Sequence, residues 1–206
     1  MLELVYFFLI SFIITISTVG YGLLFIKLVK YKTEEINLGL IGLLGLFCLS
    51  IIASYTHIIT AHDYTHNVII IILGFILLFF FSKELKINLI FNIKYLFLIF
   101  STLFICLIIS KTNEDFPYYH LPNSLQFAEQ KLQFGLGNLN HGFKHISSIF
   151  MLMSLNYLPY FEYYLFNLTN FIFLIFLIYF IIFEIYKRDK NNNNISRIFL
   201  CLILIL

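Results

Sequence analysis

Apolar blocks at residues 4–29, 37–59, 67–82, 93–110 and 160–186 dominate the chain, and a further one opens near residue 195. A helix needs about 20 apolar residues to cross the ~30 Å hydrocarbon core of a bilayer. These blocks predict an all-α, polytopic transmembrane helical bundle. Composition agrees: 61% of residues are hydrophobic and 12% charged, against roughly 25% charged in a soluble domain. The opening MLELVYFFLISFIITI has neither a basic leader nor a small-residue cleavage site, so it reads as a first transmembrane helix rather than a removable signal. The closing RIFLCLILIL stops inside an apolar run, which predicts that the sequence is the N-terminal part of a longer protein.

The net charge of +2 selects no partner class. Lysines and arginines fall in short clusters beside apolar blocks, not in a stripe suited to nucleic acid. Cys48, Cys106 and Cys201 lie inside apolar blocks without metal-ligand spacing and read as small buried apolar residues. The glycines Gly20, Gly22, Gly39, Gly42 and Gly45 in the first two blocks suit close helix packing.

Orientation follows from where the cations sit. Lys27, Lys30 and Lys32 follow the first block, Lys83, Lys86 and Lys94 flank the third link, and Lys187, Arg188 and Lys190 follow the block at 160–186. Cytoplasmic links carry the excess of Lys and Arg. The N-terminus is therefore expected outside a cytoplasmic (inner) membrane, with residues 111–159 outside as well. The apolar segment IFMLMSLNYL at 149–158 is too short for a span and is expected to lie along the interface or to dip in and return. Three parts result: four transmembrane helices in 1–110, an external loop with two interfacial helices in 111–159, and two further spans in 160–206, the second cut off.

The loop carries the polar chemistry. Asp115 is positioned to cap a helix whose first turn holds Pro117. After Pro122, the residues Leu121, Leu125, Ala128 and Leu132 recur at helical spacing and predict a short amphipathic helix. Gly135, Gly137 and Gly142 break the chain before a second, more apolar helix at about 145–157. A carboxylate is thereby held where a lipid-linked substrate presents its headgroup.

The pattern D-x-x-x-Y-H-L-P (Asp115, Tyr119, His120, Leu121, Pro122), followed by G-L-G-N-L at 135–139 and by Ser147 and Ser148, resembles the first external loop of GT-C type membrane glycosyltransferases and of related bacterial integral membrane proteins. The resemblance covers about residues 113–160. It implies transfer of a sugar from a polyprenyl-phosphate-linked donor to an acceptor at the external membrane face. It also implies a catalytic acid early in the loop, Asp115 with Glu114 as the alternative, and His120 orienting the acid or touching phosphate. A divalent Mg²⁺ or Mn²⁺ bound through Asp115 is a further implication. Tyr118, Tyr119, Lys131, Asn138, His141 and Lys144 are the candidate substrate contacts; Lys111 is a weaker one. Against this stand two structural readings: an interfacial aromatic belt for the tyrosines and backbone satisfaction in a Gly-rich turn for Asn138 and His141.

A second polar cluster, His57, His62, Asp63 and His66, sits in the link after the second block. The spacing of His62 and His66 is that of zinc ligands on one helix face. A polar hairpin turn is the simpler expectation; alternatively the link faces the main loop and lines a shared pocket. Two other functions remain open at this level: a transporter or flippase for lipid-linked saccharides, which needs ionisable residues deep in the spans, and a non-catalytic assembly subunit whose external loop binds protein.

Overall fold

A computed structural model of the chain describes residues 2–30, 37–84, 89–109, 114–139 and 147–190. The protein is an all-helical bundle. Five helices are long and apolar enough to cross a membrane, and they make it a multi-pass membrane protein. They are α1 (Leu2–Val29), α2 (Leu38–Ile59), α3 (Tyr64–Glu84), α4 (Leu89–Ile109) and α8 (Leu168–Lys190). Among the described residues, β-pairing is limited to the isolated bridge between Leu158 and Glu162. The span expected near 195, and with it Cys201, lies outside the described residues, as does His141, Lys144 or Lys111.

Helix α1 packs on both α2 and α3, and α8 packs on α2 and α4. In lipid, burying apolar side chains against one another brings little gain over lipid contact, so close packing must hold the helices. Glycine supplies it. A Cβ on Gly20 would overlap the Gly74 carbonyl of α3, and one on Gly45 would overlap the Thr18 carbonyl of α1. The same close approach lets Ser17 Oγ donate to Ile71 O (3.0 Å) and Tyr21 OH donate to Ile70 O (2.6 Å) across the α1–α3 contact. Helix α4 is held differently, by an aromatic cluster of Phe8 and Phe12 with Phe97, Phe100 and Phe104. At the opposite end from the α2–α3 link, Asn37 caps α2 through the Leu40 N–H (2.9 Å), and its amide donates to Glu184 of α8 (3.3 Å).

Between α4 and α8 the chain forms a π-helical turn (Phe116–His120), then α5 (Leu121–Glu129), α6 (Leu136–Leu139) and α7 (Ser148–Ser154). At 1.5 Å per residue, seven residues of α7 cover about 10 Å, far short of a bilayer. Its first turn, Ser148 and Ile149, lines a crevice with Leu43, Phe47 and Ser50 from the middle of α2. Its last residue, Ser154, meets the α2–α3 link. Helix α7 thus runs from beside the middle of α2 to the α2–α3 link. The preceding α5 is amphipathic as expected: of the expected face Ala128 is buried and Leu121 and Leu125 are half-buried, but the face is rotated so that Asn123, Ser124 and Phe127 are buried as well. The rotation brings Asn123 Nδ2 to Tyr119 O (2.6 Å) and Ser124 Oγ to Met153 Sδ (3.7 Å), so the polar members of that face are bonded.

Candidate functional site

The polar side chains gather at the end of the bundle that carries the α2–α3 link, and they divide into an exposed group and a buried one. In the exposed group, Glu114 and Asp115 follow α4 and precede the π-helical turn. Asp115 does not cap that turn with its side chain. Its carbonyl oxygen instead accepts the N–H groups of Tyr119 (2.9 Å) and His120 (3.4 Å). The reason is local: Asp115 is itself helical, at φ −72° and ψ −14°, whereas a capping side chain works from extended backbone. Pro117 falls in the first turn, where its missing N–H costs nothing.

The turn is anchored by aromatic contacts. Tyr119 meets Phe150 of α7 edge-on at 5.2 Å, and the His120 ring lies 5.0 Å from the same phenyl. Both are half-buried, whereas Tyr118 points away and is 85% exposed. Lys131 and Asn138 are exposed beyond α5, and Gly135 turns the chain at φ +89°. The structure thus brings Asp115, Tyr119 and His120 together on one short turn and leaves Tyr118, Lys131 and Asn138 outward-facing.

The buried group is built round His62, whose side chain is fully enclosed. Its Nδ1 lies 2.7 Å from Ser154 Oγ of α7 and its Nε2 3.1 Å from Ala53 O of α2, with Thr56 Oγ1 at 3.3 Å. Its backbone N–H donates to Phe127 O of α5 (2.9 Å), and the Leu132 N–H donates to His57 O (3.1 Å). Asn67, also fully enclosed, completes the hub: its amide nitrogen reaches His62 O (2.7 Å), Ser154 O (2.8 Å) and Tyr157 O (2.9 Å). Two more rings flank His62, His57 at 5.2 Å and His66 stacked at 4.8 Å with 15° between planes. Burial, with His66 and His57 adding to it, pushes the His62 pKa down to about 3, because a charged imidazole loses its hydration there. Ser154 Oγ also donates to Met151 O (2.8 Å) and is fully enclosed, so the Ser154–His62 pair has no access to a substrate and is a structural tie.

His62 precedes the first residue of α3, so His62 and His66 are stacked rings rather than two ligands on one helix face. Among the described residues, no three His, Cys, Asp or Glu side chains come together as metal ligands would. Asn67 and Ser154 are the hub residues that sequence reasoning missed. Their only signal is polarity next to an apolar block, and the partners that join them across the hub lie 87 to 92 positions away.

No curated protein and no solved structure matches the chain. A family model does match, over residues 4–206, under the description "Domain of unknown function (DUF8201)". That span is nearly the whole sequence, and the chain belongs to this family.

Proposed function

We propose that the protein is a GT-C-like glycosyltransferase of the cytoplasmic membrane, with its N-terminus and the 111–159 loop outside. It moves a sugar from a polyprenyl-phosphate-linked donor to an acceptor hydroxyl. The observation that carries this reading is the exposed carboxylate pair Glu114–Asp115, six positions or fewer past the end of α4. The turn behind the pair is pinned to α7 through Tyr119, His120 and Phe150. A base must be accessible yet held still, and this arrangement meets both needs. Asp115 takes the proton of the acceptor hydroxyl. The acceptor oxygen bonds to the anomeric carbon, and the bond to phosphate breaks, releasing polyprenyl phosphate.

The resemblance also implies Mg²⁺ or Mn²⁺. Such a cation keeps several waters and is held by one or two carboxylates together with substrate phosphate oxygens; Asp115, with Glu114 beside it, would hold it, and the ion would supply charge stabilisation to the departing phosphate. Asp115→Asn at unchanged membrane expression should lower transfer from a radiolabelled polyprenyl-phosphate hexose by ~10²–10⁴-fold, the usual contribution of a placed general base. Unchanged transfer would end the enzymatic reading.

A second reading, an assembly subunit that binds protein through this loop, is favoured by Tyr118 and Phe134, which are 85% and 93% exposed. It predicts that Asp115→Asn is silent and Phe134→Ser is not.

A further inference from the structure

Ser17, Thr18 and Tyr21 sit mid-helix in α1, and all three are buried. Each hydroxyl spends its one proton on a backbone carbonyl. Ser17 Oγ donates to Ile71 O (3.0 Å), Thr18 Oγ1 to Ile14 O (3.0 Å) and Tyr21 OH to Ile70 O (2.6 Å). A hydroxyl that has donated keeps lone pairs with which to accept. The three residues line a cavity of about 30 Å³ between α1, α2, α3, α7 and α8. Toward that space they offer acceptors only.

The other polar lining residues are Asn156, in the turn that leaves α7, and Thr169, in the first turn of α8. Each is 5% exposed. Asn156 Nδ2 donates to Thr169 Oγ1 (2.9 Å). Among the described residues, Asn156 Oδ1 accepts no hydrogen bond and the Thr169 hydroxyl donates none. Nor does any direct hydrogen bond join this pair to the three residues of α1.

We propose that the cavity is an internal hydration site, where bound water hydrogen-bonds the middle of α1 to the turn between α7 and α8.

The space suits water in size and in polarity. A buried water needs roughly 10–15 Å³ and two to four polar partners, and the cavity supplies both. It donates to the α1 oxygens and to Asn156 Oδ1, and it accepts from the Thr169 hydroxyl. Two other occupants fit worse. Cavities that stay dry in proteins are apolar, whereas Ser17, Thr18, Tyr21, Asn156 and Thr169 all line this one. A metal cation would trade its hydration shell for neutral oxygens alone, because no carboxylate lines the space, and that trade is costly at low dielectric. The turn gains most from the water. Asn156 belongs to the stretch between α7 and α8 that forms no long helix, and irregular backbone at membrane depth persists only where protein buries it or it lines a water-filled space. Because lipid gives helices no hydrophobic drive to associate, hydrogen bonds between elements count for more of the contact. The site thus gives the α7 segment a second tie, beside the one from Ser154 to His62.

X-ray radiolysis of the full chain in lipid nanodiscs, in water enriched in heavy oxygen, tests the site. Hydroxyl radicals born from a bound water oxidise the side chains that touch it, whereas radicals from bulk solvent do not reach enclosed rings. Tyr21, 2% exposed, should take up heavy oxygen; Phe100 and Phe176, enclosed but not lining the cavity, should not. The double variant Asn156→Leu/Thr169→Val replaces both partners of a hydrogen bond by apolar groups of similar shape, a change that a fold can absorb. It should lose the Tyr21 label and keep its elution volume on size exclusion. An unlabelled Tyr21 in the unaltered chain would overturn the site, whatever the variant does. Label that persists in the folded double variant would overturn it too. A melting temperature raised by sodium chloride over choline chloride in the unaltered chain, but not in the variant, would give the cavity to a cation instead of water.

Discussion

Two polar groups share one end of this bundle and obey opposite rules. Glu114 and Asp115 are exposed on the turn that follows α4, where solvent reaches both carboxylates. His62, Asn67 and Ser154 are enclosed, where each donor or acceptor left unbonded costs about 1–3 kcal/mol, and their polar atoms are correspondingly tied to backbone carbonyls and to one another. The contrast separates the group that could act from the group that holds the acting group's support in place. Burial and hydrogen bonding mark the scaffold; exposure on a pinned turn marks the candidate site.

That contrast can be broken from the scaffold side first. The largest effect expected is from Gly20→Leu: its side chain would have to occupy the space of the Gly74 carbonyl, so the α1–α3 contact cannot form. A fluorescent fusion of this variant should elute as aggregate on size exclusion, and a monodisperse peak would show that the helices are not held by that seam. Next, Asn67→Ala strips a bonded amide from three carbonyls. It should lower stability in detergent by on the order of 2–3 kcal/mol, read as a fall in apparent melting temperature. Asp115→Ala should leave that temperature where it was.

A graded effect, small near neutrality, comes from pH. The unfolded chain binds a proton at His62 near 6.5, which the fold refuses until about 3. More protons are bound by the unfolded state in that window, so stability is complete above ~6.5 and falls as pH drops toward 3. Melting scans should be flat from pH 7 to 8 and slope downward below, and His62→Gln should flatten the slope. Smallest of all, Tyr118→Ala removes a ring that is 85% exposed and should change the melting temperature by no more than ~0.5 kcal/mol would; a large loss would place Tyr118 with the scaffold.

The long helices were legible because hydropathy is a local property. The blocks at 4–29 and 37–59 became Leu2–Val29 and Leu38–Ile59 almost residue for residue. The block at 160–186 was less so: α8 begins only at Leu168, because Tyr160 and Glu162 turn the chain at φ +70° and +46° round the Leu158–Glu162 bridge. Helix α5 was legible as a helix but not in its rotation, since Asn123 and Ser124 face inward against partners in the preceding turn and in α7. Of the site, the acidic exit and the three histidines could be named from the sequence, and of the two readings of the histidine link the one that faces it to the main loop holds. Their roles could not. Whether a polar residue is enclosed depends on Ser154 and Phe127 arriving from far along the chain, and no local pattern encodes that.

The distance in sequence between His62 and Ser154, 92 positions, also sets an order of assembly. When the ribosome has delivered α1 to α3, His62 and Asn67 have only their near partners, Ala53 O, Thr56 Oγ1 and the His62 carbonyl, and lack those on α5 and α7. Only after α4 has crossed and the segment through α7 has emerged can those groups be dried and bonded. The histidine link is thus a keystone, laid early and locked late, and a chain interrupted before Ser154 would leave it wet.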